Sequence, residues 1–234
     1  MEAVERAAAL ERYHREQVVG CRRCALNETR TQVVVGAGSA DAEVMFVGEA
    51  PGQQEDEQGV PFVGRAGRLL NELLGEIGLD RDAVFIANVL KCRPPGNRDP
   101  QADEIVACRP HLLRQVALIR PLLICSLGNF ALRFFSGRPE GIGRVHGCPL
   151  PISVGDTPTL LYPLFHPAAA LYARATRGLL SEDFARIPEL LAQRRALGRS
   201  PSEGGAAGIQ RGNGAESSSD DAANDASADQ LRLM

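Results

Sequence analysis

The segment that decides the fold runs from Val44 to Glu55 and reads Val44-Met45-Phe46-Val47-Gly48-Glu49-Ala50-Pro51-Gly52-Gln53-Gln54-Glu55. Its first four residues are apolar and predict a buried strand, and a Gly/Pro turn then leads toward a helix. In an α/β sheet such a turn lies at the carboxyl end of a strand, where ligand sites gather. Gly48 and Gly52 have no Cβ, so a ligand can approach the backbone there. Taken alone, the same turn could be a plain strand-to-helix connection.

The apolar patterns in the rest of the chain predict strands that alternate with helices. Further strands are predicted at Val84–Leu90, Leu122–Leu127 and Thr159–Phe165, with a short one at Val33–Val35. Helices are predicted at Glu2–Val19, Arg65–Ile77, Asn129–Phe135 and Ser181–Leu197, and around Cys108 with a break at Pro110. This alternation predicts an α/β fold, a three-layer sandwich whose central sheet is mostly parallel and four-stranded.

Composition bears on domain organisation, partners and location. The chain has 234 residues, of which 44% are apolar, and this suits one domain, which we assign to residues 1–198. Residues 199–234 are rich in Gly, Ala, Ser and Asp, with three basic and six acidic residues, and predict a disordered acidic tail. The remaining body is electrically neutral, so a nucleic-acid surface would have to be local. Neither a signal peptide nor a membrane-length apolar run is present, and we expect a cytoplasmic protein.

Four of the six cysteines have an arrangement typical of metal or cluster ligands: Cys21, Cys24, Cys92 and Cys108. The two-residue spacer between the first pair lets two sulfurs converge on one centre, and four thiolates can bind zinc or an iron–sulfur cluster. Spacing does not choose between these two, and four unrelated buried cysteines are the simpler alternative. The other two are expected to be a core residue, Cys125, and a loop thiol, Cys148.

Polar or aromatic residues follow several of the predicted strands. Glu49 follows the strand that starts at Val44, and Phe62 lies on a Gly/Pro-flanked segment. Asn88 lies near the carboxyl end of the strand at Val84–Leu90, and His166 follows the strand at Thr159–Phe165. Each could be structural, as lone buried Asn and His residues usually are. Because the ends of parallel strands meet at one edge of the sheet, we expect these groups to lie together. A ring for stacking and an amide that reads donors and acceptors suggest a flat, hydrogen-bonding heterocycle as the ligand.

Four motifs resemble, in order, those of the family 4 uracil-DNA glycosylases, the iron–sulfur branch of the uracil-DNA glycosylase superfamily. They are GEAPGQQED at 48–56, PFVGRAGRLL at 61–70, ANVLKCRPPGNRDP at 87–100 and FHPAAAL at 165–171. The resemblance runs from about Cys21 to Leu191. It implies a [4Fe-4S] cluster on the four cysteines named above, and uracil-containing DNA, single- or double-stranded, as the partner of a monomer.

The resemblance also assigns roles within a uracil pocket. Glu49 and His166 would lie at the reacting centre, while Phe62 stacks on the base and Asn88 bonds its edge. Glu55 would crowd the methyl group of thymine. Gly48 and Ala50 complete the base-binding residues, and the implied DNA-binding residues are Arg93, Arg98, Leu171 and Arg174. One departure concerns this last group, because Tyr172 stands where the family usually has arginine.

The expected function is DNA repair, in which uracil is flipped out of DNA and its N-glycosidic bond is hydrolysed to leave an abasic site. Ala50 replaces the acid that serves as general base in the best-known branch of the superfamily. A lyase step needs an amine nucleophile, and these motifs contain no lysine except Lys91. We therefore expect a monofunctional enzyme without a lyase step.

Three alternatives to this function differ in class. The first is a non-catalytic iron–sulfur or zinc DNA-binding module on the same fold. The second is a sibling branch that attaches covalently to its product, but that branch has a histidine in a loop whose counterpart, residues 93–98, has none. The third is a nucleotide-phosphate site, which is disfavoured because the Gly-rich turn after Val47 lacks the Lys-Ser/Thr pair of a P-loop.

Overall fold

The computed structural model describes residues 2–198, and the predicted acidic tail at 199–234 lies outside the described residues. The strands are β1 (Ala37–Gly38), β2 (Val44–Gly48), β3 (Phe85–Asn88), β4 (Leu123–Leu127), β5 (Leu150–Val154) and β6 (Thr157–Leu164). The helices are α1 (Ala3–Tyr13), α2 (Gln53–Gln58), α3 (Arg65–Glu76), α4 (Ala102–Ile119), α5 (Asn129–Ser136), α6 (Ile142–Val145), α7 (Pro167–Ala170), α8 (Arg174–Ala185) and α9 (Ile187–Ala196).

The described strands form one sheet in the order β1-β3-β2-β4-β6-β5. The four inner strands are parallel, which confirms the predicted parallel centre of an α/β fold. The sheet is nevertheless six-stranded, because β1 and β5 add antiparallel edges that the sequence did not reveal. The predicted strand at Val33–Val35 is wrong, and the short pairing falls instead on Ala37–Gly38.

Helices cover both faces of the sheet, as a mostly parallel sheet requires. Side chains of β2 alternate between the two faces. Val44 and Phe46 belong to one apolar core together with residues of α3, α8 and α9. Met45 and Val47 belong to a second core with residues of α1, α4 and α5. The order of layers is therefore helix, sheet, helix, as predicted.

Two helices differ from the prediction at a proline. α4 continues through Pro110 without a break, and Val106, four residues earlier, lies on the exposed side of the helix. Water can therefore reach the turn whose carbonyl loses its N–H partner at the proline. The single last helix predicted at Ser181–Leu197 is two helices, because Pro188 lies in the first turn of α9 and favours a helix start.

No helix between residues 2 and 198 is both long enough and apolar enough to cross a membrane. The first helix is also shorter than predicted, since the α-helical geometry ends at Tyr13 and a π-helical segment continues to Val18.

Candidate active site

A cavity of about 250 Å³ opens where β2, β3 and β6 end. It brings together six of the seven residues predicted for the catalytic centre and base pocket, namely Glu49, Ala50, Glu55, Phe62, Asn88 and His166. The cavity also has a wall that the sequence argument missed, formed in part by Ala66, Pro94, Asn97 and Ala168. The carboxyl edge of the parallel strands thus carries the site, in accordance with the rule for open α/β sheets.

Gly48, the seventh predicted residue, lies directly behind the cavity wall. A Cβ added there would meet the Asn88 Oδ1 atom at 2.5 Å and the Phe62 ring at 2.7 Å. These distances are shorter than a real Cβ makes, so the glycine allows the amide and the ring to approach the end of β2 closely. The predicted role of Gly48 in shaping the base pocket remains a prediction, with this close packing as its physical basis.

Asn88 is 2% exposed, and its Oδ1 atom has no hydrogen-bond partner among residues 2–198. A buried acceptor without a partner costs free energy, so such groups are nearly always satisfied by protein, water or ligand. Because the residue lines the cavity, a ligand with a suitably placed donor can reach this oxygen.

Phe62 is held in an uncommon backbone conformation beside the cavity. Its φ angle is 52°, in the left-handed region that residues with a Cβ seldom adopt. The turn is tight, since a Cβ on Gly67 would lie 1.8 Å from the Phe62 carbonyl oxygen. The Phe62 ring is stacked on the His166 ring, with centroids 5.6 Å apart and planes inclined by 29°. An aromatic face and an imidazole are therefore adjacent in the same wall.

His166 precedes α7, and its ring caps that helix. The Nδ1 atom accepts a hydrogen bond from the Ala168 backbone N–H at 3.1 Å. In the neutral ring the proton must then be on Nε2, which is left as a donor. Burial lowers the pKa of His166 to about 4, although the Glu55 carboxylate acts in the opposite direction. The ring is consequently neutral at pH 7.

The two carboxylates have different surroundings. Burial raises the pKa of Glu49, and the nearby Asp99 carboxylate raises it further. The Glu55 Oε1 atom accepts hydrogen bonds from the backbone N–H groups of Val63 at 3.0 Å and Gly64 at 2.9 Å. Glu55 thus stabilises the segment between Phe62 and α3 while it lines the cavity. Its proposed part in excluding thymine remains a prediction.

The four candidate ligand cysteines are all free thiols. Cys24, Cys92 and Cys108 pack in a third apolar cluster with Leu26 and Leu90. Burial raises the pKa of Cys108 to about 11, with the Lys91 charge acting in the opposite direction.

Three of the four sulfurs contact nitrogen atoms that can donate hydrogen bonds. The Arg30 Nη1 atom donates to the Cys92 Sγ atom at 3.2 Å, and the Lys91 N–H donates to the Cys108 Sγ atom at 3.2 Å. The His111 Nε2 atom lies 3.3 Å from the Cys21 Sγ atom. Within residues 2–198, no three His, Cys, Asp or Glu side chains are grouped closely enough to hold one metal ion.

The two remaining cysteines agree with the prediction. Cys125 is fully buried in β4, whereas Cys148 is exposed.

The predicted DNA-binding residues are divided between the cavity and the outer surface. Arg98 lines the cavity and forms an ion pair with Glu104, with nitrogen–oxygen distances of 2.9 and 2.5 Å. Arg93 donates to the Asn97 Oδ1 atom at 2.7 Å. Arg174 is exposed at the start of α8.

Leu171 is half-buried against the first core, but its neighbour Tyr172 is 79% exposed. The Arg65 guanidinium lies 5.5 Å from the centre of the Tyr172 ring. In the sequence, Tyr172 is recognisable only as a departure from the family pattern. Its exposure and its position six residues after His166 make it a surface residue near the site.

The profile of the Uracil DNA glycosylase superfamily matches residues 35–191. A type-4 uracil-DNA glycosylase of Sulfurisphaera tokodaii is 48% identical over 181 residues, which cover 75% of this chain and 82% of the relative. The chain belongs to the type-4 uracil-DNA glycosylases.

Two other relatives of this glycosylase agree with the assignment. The type-4 enzyme of Saccharolobus solfataricus is 45% identical over 184 residues, covering 76% of this chain and 85% of the relative. That of Thermotoga maritima is 45% identical over 179 residues, covering 75% of this chain and 92% of the relative. The resemblance inferred from the four sequence motifs is confirmed.

Proposed function

We propose that this glycosylase removes uracil from DNA by binding the flipped base in the cavity at the strand ends and hydrolysing its N-glycosidic bond. The observation that carries the proposal is the buried, unpartnered Asn88 Oδ1 atom at the wall of that cavity. Residues 1–198 would form the single glycosylase domain. The type-4 relatives are named as uracil-DNA glycosylases, which supports the same reaction.

Asn88 can read the edge of uracil that distinguishes it from cytosine. Uracil presents an N3–H donor and an O4 acceptor there, and a side-chain amide offers the matching acceptor and donor. Cytosine presents an acceptor at N3 and a donor at N4, so the same amide orientation would oppose like with like. Leaving buried polar groups unpaired is the strongest way to reject a base analogue. Phe62, adjacent in the wall, supplies an aromatic face for the ring.

His166 would stabilise the departing base. Breaking the N-glycosidic bond leaves negative charge on uracil, and the Nε2–H of neutral His166 can donate to the O2 atom as that charge develops. A donor fixed before the reaction is favourable because it needs no reorganisation. The backbone N–H of Ala168 fixes the ring by bonding its other nitrogen.

Glu49 would act on the sugar side of the bond. A carboxylate there can stabilise the positive charge on the sugar or orient the attacking water. The following residue, Ala50, carries no acid that could share this task. A monofunctional reaction is supported by Lys91, the only lysine of the sequence. It is 1% exposed and does not line the cavity, so it cannot attack the sugar as an amine nucleophile.

Cys21, Cys24, Cys92 and Cys108 would supply the four thiolate ligands of a [4Fe-4S] cluster. Four cysteine thiolates are the usual ligand set of such a cluster, and hydrogen bonds to the sulfurs would tune its potential. Donors to Cys92 and Cys108 are present. When bound, the cluster would connect three parts of the chain covalently. These are the Cys21–Cys24 segment, Cys92 after β3 and Cys108 in α4. Four reduced thiols also favour a cytoplasmic location.

Contacts with DNA would be made around the cavity mouth. Arg98 and Arg174 would contact phosphates, which position a protein on DNA without reading its sequence. Single- and double-stranded uracil DNA are both proposed substrates, and we propose a monomer. A U·G mismatch should react faster than a U·A pair, because a mismatched base leaves the stack more readily.

The test of this function is excision from an oligonucleotide that carries one uracil. Purified protein should convert the uracil position into an alkali-labile abasic site and release free uracil. A non-catalytic DNA-binding module on the same fold would bind the oligonucleotide and leave it resistant to alkali. Binding without any strand break above the enzyme-free blank would therefore refute the proposed activity in favour of that alternative.

A further inference from the structure

The only lysine of the sequence lies in the core between the base pocket and the cysteine site. The chain contains 25 arginines, and Lys91 is its single other fixed cation. It is 1% exposed, which is rare for a lysine because a buried charge loses its hydration. A buried ammonium is tolerated where hydrogen-bond partners replace its lost hydration. The partners of Lys91 therefore indicate which groups it holds in place.

The Lys91 side chain bonds directly to the residue that carries the base-reading amide. Its Nζ atom donates to the Asn88 backbone carbonyl at 2.9 Å and to the Gln115 Oε1 atom at 2.7 Å. Gln115, on α4, is fully buried, and its own amide donates to the Val35 carbonyl at 2.5 Å. The Lys91 ammonium therefore links the Asn88 carbonyl, at the end of β3, to Gln115 on α4.

The Lys91 backbone adds two bonds in other directions. Its N–H donates to the Cys108 Sγ atom, and its carbonyl accepts from the Val34 N–H at 2.8 Å. Beyond Asn88, the chain is held to β2 and the residue after it by bonds from the Val89 and Leu90 N–H groups. The backbone that carries the Asn88 amide is thus fixed from both sides, although the amide oxygen itself is left free for a ligand.

We propose that Lys91 is a positioning residue for uracil recognition, which holds the Asn88 backbone so that the amide meets the base edge in a fixed orientation. Lysine suits this task because its ammonium is compact, whereas the planar guanidinium of arginine needs more room. The inference rests on the proposed function of Asn88 and extends it to a residue that touches no substrate. It differs from a stability role alone, because removal of Lys91 should act through Asn88.

The test is a double-mutant cycle of Lys91→Met and Asn88→Ala in single-turnover excision of uracil. Methionine keeps the length of the side chain and removes the ammonium, and the backbone bond to Cys108 is preserved. We expect Lys91→Met to slow excision at least tenfold with iron content and visible absorbance unchanged. In the Asn88→Ala background the same substitution should slow excision less than threefold, because groups that act as one unit are not additive.

A matched control separates positioning from loss of stability. Tyr162→Phe also removes one buried hydrogen bond, since the Tyr162 hydroxyl donates to the Asp183 carbonyl at 2.9 Å, away from the cavity. Tyr162→Phe should lower the melting temperature. Its rate of excision, measured well below that melting temperature, should equal the wild-type rate. The same cycle with Lys91→Gln covers the case in which Lys91→Met does not fold, and its amide should retain part of the rate.

Two outcomes would overturn the inference. One is a Lys91→Met enzyme that excises uracil at the wild-type rate. The other is a loss of the same factor with and without the Asn88 amide, which would show that Lys91 does not act through it. An inactive wild-type protein would instead refute the proposed function itself, so the two failures are distinguishable.

Discussion

Gly48→Ala tests the packing behind the base pocket with the smallest possible change. The added methyl group would meet the Asn88 Oδ1 atom at 2.5 Å and the Phe62 Cζ atom at 2.7 Å, whereas ordinary contact begins at 3.4 Å. The φ angle of Gly48 is not in the left-handed region, so alanine costs no backbone strain there. The whole effect must come from displacing the amide and the ring by roughly 1 Å.

Displacement on that scale predicts a large loss of rate. A misplacement of about 1 Å in a positioning group costs on the order of a hundredfold in rate, and overpacking a core costs about 1–3 kcal/mol of stability. We therefore expect Gly48→Ala to excise uracil about a hundredfold more slowly in single turnover on a U·G duplex. The protein should still fold, with a melting temperature lowered by several degrees.

The control for this variant is Gly75→Ala in α3. A Cβ at Gly75 would have no atom within 4 Å, and alanine is preferred to glycine inside a helix. This variant should keep the wild-type rate and gain slightly in stability. If Gly48→Ala excises uracil as fast as Gly75→Ala, the amide and the ring are not the uracil-reading groups and the pocket assignment is wrong.

The remaining predictions concern the cysteines, the histidine and the lysine. In anaerobically purified protein, Cys108→Ala should lose iron and soluble yield, whereas Cys148→Ala should keep its iron. A colourless wild-type preparation with one zinc ion per chain would contradict the cluster. With a pKa of about 4 against 6.5 for a free imidazole, His166 stabilises the fold above pH 6.5 and less so as the pH falls toward 4. Melting temperatures of wild type should therefore fall over this range more than those of His166→Asn, and equal slopes would contradict that. Borohydride should trap no covalent DNA adduct, because Lys91 is buried; a trapped adduct would contradict a monofunctional reaction.

The inner part of the fold could be predicted because each inner strand contains a run of apolar residues. β2 is buried along its whole length, and such runs between helical patterns have few other interpretations. The edges could not be predicted in the same way. β1 has two residues, and in β5 exposed residues alternate with half-buried or buried ones, so neither produces an apolar run. Their pairing depends on neighbours that are distant in the sequence.

The site shows a similar division. Asn88 and His166 could be placed at one edge of the sheet because each ends a strand. Lys91 could not be recognised as a buried link, since a lysine after a strand usually faces solvent. The bonds of Glu55 to two backbone N–H groups also depend on a loop geometry that no local pattern encodes.

The central claim is that uracil is read by the amide of Asn88 in the cavity at the strand ends. The most direct measurement compares wild type with Asn88→Ala in single-turnover excision on one U·G duplex, with folding verified by equal melting behaviour. Losing one recognition contact of this kind costs about 3 kcal/mol, so Asn88→Ala should be about a hundredfold slower. An Asn88→Ala enzyme that releases uracil at the wild-type rate would show that the base is bound elsewhere.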